Sequence, residues 1–158
     1  MNRFLLAVDG AESTEKGLAY LLPIMKSQPD STLSLLTLLT DCPYTEAELA
    51  ALQDRPAADQ EVHGAEDHLA QLEAARALQV GLLARLTAEG LPADRVSCEL
   101  HPLTAGLAED ILDHAARLAC DTVIVVRGEG GAMHRMLLGS VSATLVKEAH
   151  NLTIWVVC

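Results

Sequence analysis

Short aliphatic runs, separated by stretches with helical spacing, constrain the fold of this 158-residue chain more than any other feature. Arg3–Val8 stops at Asp9-Gly10, the punctuation of a buried strand entering a turn. Ser31–Leu39 is Leu-rich with interspersed Thr and is bounded by Pro29-Asp30 and by Asp41-Cys42-Pro43. Arg95–His101 alternates Val96, Cys98 and Leu100. Asp121–Val126 is a β-branched run typical of a strand buried on both faces, and Leu152–Val157 is a last aliphatic strand.

The intervening segments read as helices. Ser13 or Thr14 caps the first, which carries Leu18, Leu21, Leu22 and Met25, with Pro23 bending it. A long helix spans roughly Glu66 to Glu89 with Leu69, Leu72, Leu83 and Leu86 on one face, Glu66, Asp67, Arg76 and Arg85 on the others, and Gly90 as its stop. Thr104 caps a helix bearing Leu107, Ile111, Ala115 and Leu118, and a last one runs from about Gly139 to His150 with Leu138, Val141, Leu145 and Ala149 on one side. Only Asp41 to Gly64 lacks a stripe. It reads as a surface connection with room for a short helix over Glu46–Gln53.

Strict alternation of strand and helix demands parallel strands, right-handed crossovers and helices on both faces. The expectation is therefore an α/β fold, a doubly wound five-stranded parallel sheet in a single domain over residues 1–158. Apolar residues at 50% suffice for a core, and 28 Leu and 24 Ala against 3% aromatics favour aliphatic layers over an aromatic-rich sandwich or stacking platforms for single-stranded nucleic acid. In doubly wound sheets ligands settle beyond the carboxyl ends of the strands, near the switch in strand order. That directs attention to the loops after the first strand (Asp9-Gly10) and the fourth (Arg127 to Leu138).

A net charge of −11 argues against nucleic acid or an anionic membrane as partner. Phe4 to Val8 is too short for a signal or spanning segment, so a cytoplasmic location is expected. Cys42, Cys98, Cys120 and Cys158 stand far apart without C-x-x-C; they are read as reduced thiols, Cys98 and Cys120 as buried small side chains. His63, His68, His101, His114, His134 and His150 show no H-x-x-x-H pair, so solvated side chains are expected rather than a metal site. G-x-S-x-G is absent and no residues present themselves as a phosphoryl-transfer clamp, so the chain is not read as an enzyme; slow ATP hydrolysis is a distant alternative.

Residues 127–142 hold four glycines and two serines around the start of a helix. The unpartnered amides and positive dipole of a helix N-terminus attract anions. Gly139 near the cap would leave the amides of Ser140, Val141 and Ser142 facing a phosphate, with the two serine hydroxyls as further donors. Equally, Ser140 caps its own helix and the glycines only turn the chain. Neither G-x-x-x-x-G-K-[ST] nor a complete G-x-G-x-x-G is present, because Met133 stands where the third glycine of the latter belongs. Asp9 is likewise open between an Asx turn and a ligand contact.

Leu6-Ala-Val-Asp-Gly10, Gly106-Leu-Ala-Glu-Asp-Ile-Leu112 with Ala115 behind it, Asp121–Val126, Leu137-Leu-Gly-Ser-Val-Ser142 and the last aliphatic strand, taken in order, resemble a universal stress protein of the UspA family. The resemblance implies a Rossmann-like fold, homodimers paired through the last strand (Thr153, Ile154, Trp155, Val156, Val157), unknown protein partners and a role in stress response. One branch of the family binds ATP or AMP, and the other does not; Mg2+ would enter only with ATP. The binding branch has G-x-x-G, nine residues, then G-[ST]. Counted back from Gly139-Ser140, this chain has Glu129 at the second glycine and Val126 at the first, with Gly128 and Gly130 flanking. The nucleotide set implied is Val8, Asp9 (adenine side), Leu38 (packing the base), Arg127, Gly128, Gly130, Gly139, Ser140, Val141 and Ser142. Glu129 is a like charge beside any phosphate, which Arg127, His134 and Arg135 can offset.

Overall fold

The computed structural model describes residues 2–8, 10–40, 42, 44–53, 66–126 and 140–158. The elements run β1 Arg3–Val8, α1 Ala11–Ser27, β2 Thr32–Leu39, α2 Glu46–Gln53, α3 Glu66–Ala88, a 3-10 turn Ala93–Arg95, β3 Val96–Pro102, α4 Leu107–Arg117, β4 Thr122–Val126, α5 Ser140–Glu148 and β5 Thr153–Val157. All strand pairs are parallel, in the order β3-β2-β1-β4-β5. This is the doubly wound Rossmann-like sheet expected from the alternation. The chain builds outward from β1 through β2 to β3, returns to the other side of β1 for β4, and ends at β5 on the far edge. The switch lies between β1 and β4, whose register pairs Phe4 with Thr122 and Leu6 with Ile124.

Alternation along β1 divides the core in two. Phe4, Leu6 and Val8 join Leu18, Leu21 and Met25 of α1 and Leu82 and Leu86 of α3 on one face. Leu5 and Ala7 join Leu107, Ile111 and Ala115 of α4 and Val141 and Leu145 of α5 on the other. All five residues of β4 are buried, as its β-branched run requires of a strand covered on both faces. A smaller cluster of Leu39, Leu72, Cys42, Tyr44, Ala75 and Leu100 sits where β2 and β3 meet α3.

Local chemistry departs from expectation at several points. α1 starts at Ala11 with Gly10 as its cap, and the hydroxyls of Ser13 and Thr14 donate back to the Gly10 carbonyl instead of capping. Gly10 has φ 150, where a side chain would be strained. Gly106, not Thr104, caps α4. Arg95 belongs to the turn before β3 because its guanidinium donates to the carbonyls of Met25, Gln28 and Ser31, tying the end of α1 down. The buried stripe of α3 is Leu72, Gln79, Leu82 and Leu86, with Leu83 at its margin. Gln79 belongs there because its amide donates to the Thr37 hydroxyl (3.0 Å) and the Glu99 carbonyl (2.9 Å). Leu118 and Ala149 fall just past the ends of α4 and α5.

Candidate functional site at the switch in strand order

At the carboxyl ends of β1 and β4, Val8 and Val126 are both buried. α1 lies unusually close here. A Cβ added to Gly17 would stand 2.8 Å from Val126 Cγ2 and 3.0 Å from Leu6 Cδ1. α1 begins at Ala11, directly after its cap Gly10. Val126, at a glycine position of the nucleotide-binding pattern, is thus a core residue under α1.

The wall beyond β2 and β3 is held by backbone bonds. Leu39 accepts from the Leu103 amide at 2.9 Å, and the buried Asp110 carboxylate accepts from the Thr104 amide (2.6 Å), the Thr104 hydroxyl (3.0 Å) and the Ala105 amide (3.1 Å). Leu38, half-buried, pairs in register with His101. α5 begins at Ser140, which is exposed; Val141 is buried in the core and can offer a ligand only its backbone, and Ser142 is half-buried. The structure therefore brings Val8, Leu38, Ser140, Val141 and Ser142 to the carboxyl-end side of one sheet. Asp9, Arg127, Gly128, Gly130 and Gly139, together with Glu129, His134 and Arg135, lie outside the described residues. A separate depression lined by Asn2, Gln28, Pro29, Asp30 and Ser31 opens at the opposite end of the sheet.

Two side-chain expectations need correction. Cys98 is exposed on the edge strand β3, and Cys120 is half-buried; all four cysteines are free thiols. Burial and then the Asp121 charge push Cys120 up to about 11, and burial with Glu99 also raises Cys98, so both are poor thiolates at neutral pH. The histidines are not all solvated: His114 is buried and its ring lies 4.1 Å from that of half-buried His101. The signal was available, since His114 stands three residues after Ile111 and seven after Leu107, on the buried stripe of α4. Among the described residues no three His, Cys, Asp or Glu side chains are grouped to hold a metal, and no helix is long and apolar enough to cross a membrane.

A family model described as the universal stress protein family matches residues 1–157. The chain belongs to the universal stress protein family. Solved structures agree on the fold. Universal stress protein UspA from Lactobacillus plantarum is 18% identical with a TM-score of 0.64, over 99% of this chain and 97% of that one. A universal stress family protein from Arabidopsis thaliana with AMP bound is 18% identical with a TM-score of 0.52, over 99% and 91%. The universal stress protein from Archaeoglobus fulgidus in complex with dAMP is 16% identical with a TM-score of 0.54, over 100% and 98%. No curated protein matches significantly.

Proposed function

We propose that this universal stress protein binds an adenine nucleotide, ATP or AMP, at the carboxyl ends of its strands and acts as a dimeric stress-response regulator rather than an enzyme. The observation that carries the reading is the strand order. A sheet of this order is expected to take a ligand beyond the carboxyl ends of β1 and β4, where the phosphates would lie against the start of α5, Ser140 to Ser142, and the base would pack on Leu38. Relatives of the same fold crystallised with AMP and dAMP support it. Asp9 would take the adenine side, Arg127, Gly128, Gly130 and Gly139 the phosphate loop, and Mg2+ would accompany only ATP. Cytoplasmic residence fits the acidic composition.

Val126 favours a second reading, a dimeric adaptor of the family without nucleotide. It is a fixed core residue where the binding pattern has glycine, and Glu129 adds a carboxylate at the other glycine position. Calorimetry separates the two. On the nucleotide reading, the wild type binds ATP or AMP. Glu129→Gly binds more tightly, by about tenfold, because a like charge near 4 Å costs on the order of 1 to 4 kcal/mol depending on screening. Ser140→Ala with Ser142→Ala loses affinity for ATP more than for adenosine. An absence of heat for both wild type and Glu129→Gly, with the fold intact, leaves the adaptor.

A further inference from the structure

α1 touches both the carboxyl end of β4 and the edge strand β5. Near its middle, Gly17 lies so close to the sheet that an added Cβ would stand 2.8 Å from Val126 Cγ2 and 3.0 Å from Leu6 Cδ1. Three residues on, about 4.5 Å along the helix axis, Tyr20 meets Trp155 of β5 edge to face at 5.7 Å. Phe4 of β1 lies 5.6 Å from the other side of the story's pivot ring, Trp155, which packs against the cluster of Leu6, Leu18, Leu21 and Val126. There is no slack under Gly17. A shift of Val126 toward the helix has to be taken up by the helix, because a close-packed interior passes a displacement on.

The helix also has a place to bend. Pro23 stands inside it. A proline has no amide to give the carbonyl four residues back, here that of Ala19, and its ring crowds that carbonyl. Beyond this break the helix end is anchored: Arg95 donates to the carbonyls of Met25 and Gln28 at 3.0 and 2.8 Å, and Lys26 lies 3.4 Å from Glu89. The segment before the break, which carries Gly17 and Tyr20, is held by apolar packing and by a partly exposed ion pair of Glu15 with Arg85, a weak tether.

We propose that α1 pivots at Pro23 and so relays the position of Val126, at the carboxyl end of β4, to Trp155 on the edge strand β5. A nucleotide held beyond the carboxyl ends of β1 and β4 would then be reported at that edge; this consequence rests on the proposed function, and the lever itself does not. The competing route is the sheet ladder, in which β4 pairs directly with β5, Ile124 with Trp155 and Val126 with Val157. Tyr20 and Pro23 are both exposed and belong to the helix alone, so substitutions there interrupt the lever and spare the ladder.

Trp155 is the only tryptophan, so its fluorescence reads the outcome directly. Val126→Ile pushes on the helix without any ligand, by one added methyl group beneath Gly17. The emission maximum should move to longer wavelength as Tyr20 lifts and water reaches the indole. Introduced into Tyr20→Ala or Pro23→Ala, with each background compared to its own Val126 form at matched concentration, the same change should give a much smaller shift. Equal shifts in all three backgrounds would assign the effect to the ladder, and no shift in any would show that the core absorbs the methyl; either result overturns the proposal. A second measurement keeps Val126 and titrates ATP, followed by calorimetry and fluorescence together. In the wild type the heat and the emission change should share a midpoint, and in Tyr20→Ala the heat should remain while the emission change is lost. Heat without an emission change in the wild type, or an undiminished change in Tyr20→Ala, overturns the relay and leaves nucleotide binding standing. No heat at all defeats the nucleotide reading, and the Val126→Ile comparison still decides the lever.

Discussion

Ala119 has φ 52, a left-handed conformation that any Cβ resists. It persists because the chain must turn out of α4 there. The Ala119 amide donates to Ala116 and the Cys120 amide back to Ala115 at 2.8 Å, satisfying the last carbonyls of the helix. Ala119→Gly should raise stability by about 0.5 to 1 kcal/mol, read from urea unfolding. Next to it, the raised Cys120 thiol has a consequence on the alkaline side. The unfolded thiol ionises near 8.5, below the native value of about 11, so the native state holds this proton more firmly. That contribution is complete below about pH 8.5 and disappears as pH climbs toward 11. The melting temperature of Cys120→Ala should therefore fall less steeply than that of the wild type across this window.

At the scale of elements, the approach of α1 to the β1 and β4 pair depends on the missing side chain of Gly17. Replacing it by Ala improves helix propensity by about 1 kcal/mol, yet the new methyl would have to displace Val126 Cγ2 in a close-packed core, a cost of typically 1 to 3 kcal/mol. Gly17→Ala should be destabilising on balance. Because the clash is with one named side chain, Gly17→Ala combined with Val126→Ala should cost less than the sum of the two, with a coupling of about 1 kcal/mol measurable in a double-mutant cycle. Additive losses would mean that the helix relaxes away from the sheet instead. α3 illustrates a different control. Its buried stripe includes Gln79, which is stable there only because Thr37 and the Glu99 carbonyl receive its amide, and this fixes the helix lengthwise over β2 and β3.

For the whole molecule, β5 is an edge strand that among the described residues is hydrogen-bonded to β4 alone, without proline or charge. Val156 is 43% exposed on it, and Tyr20, 52% exposed, meets Trp155 edge to face at 5.7 Å. Phe4 holds the Trp155 ring from within at 5.6 Å. An uncharged open ladder bordered by aromatic surface is what soluble proteins normally cover, and an identical strand related by a two-fold axis covers it symmetrically. Sedimentation should show a dimer at micromolar concentration that Ile154→Lys converts to monomer; a wild type already monomeric there would remove this part of the proposed function.

The order of elements was legible in the sequence because both periods, two for strands and between three and four for helices, are imposed by burial against a common core and so are written in the apolar residues. β4 is the clearest case: a short, continuous β-branched run is the pattern of a strand covered on both faces, and all five of its residues are buried. The alternation pointed to the carboxyl ends of the strands, while the order β3-β2-β1-β4-β5 that puts the switch between β1 and β4 came from the tertiary structure and the grouping of Val8, Leu38 and Ser140 from the family resemblance. Polar detail was not legible. Gly10 rather than Ser13 caps α1, Asp110 rather than Thr104 organises the start of α4, and Gln79 interrupts an apolar stripe; for His114 the burial was legible from its spacing on α4, but its partner His101 was not. Each depends on a hydrogen-bond partner far away in the chain or on a loop geometry that composition does not encode. Burial is a property of one residue's pattern, whereas satisfying a buried polar group takes two residues brought together, and only the tertiary structure decides which two.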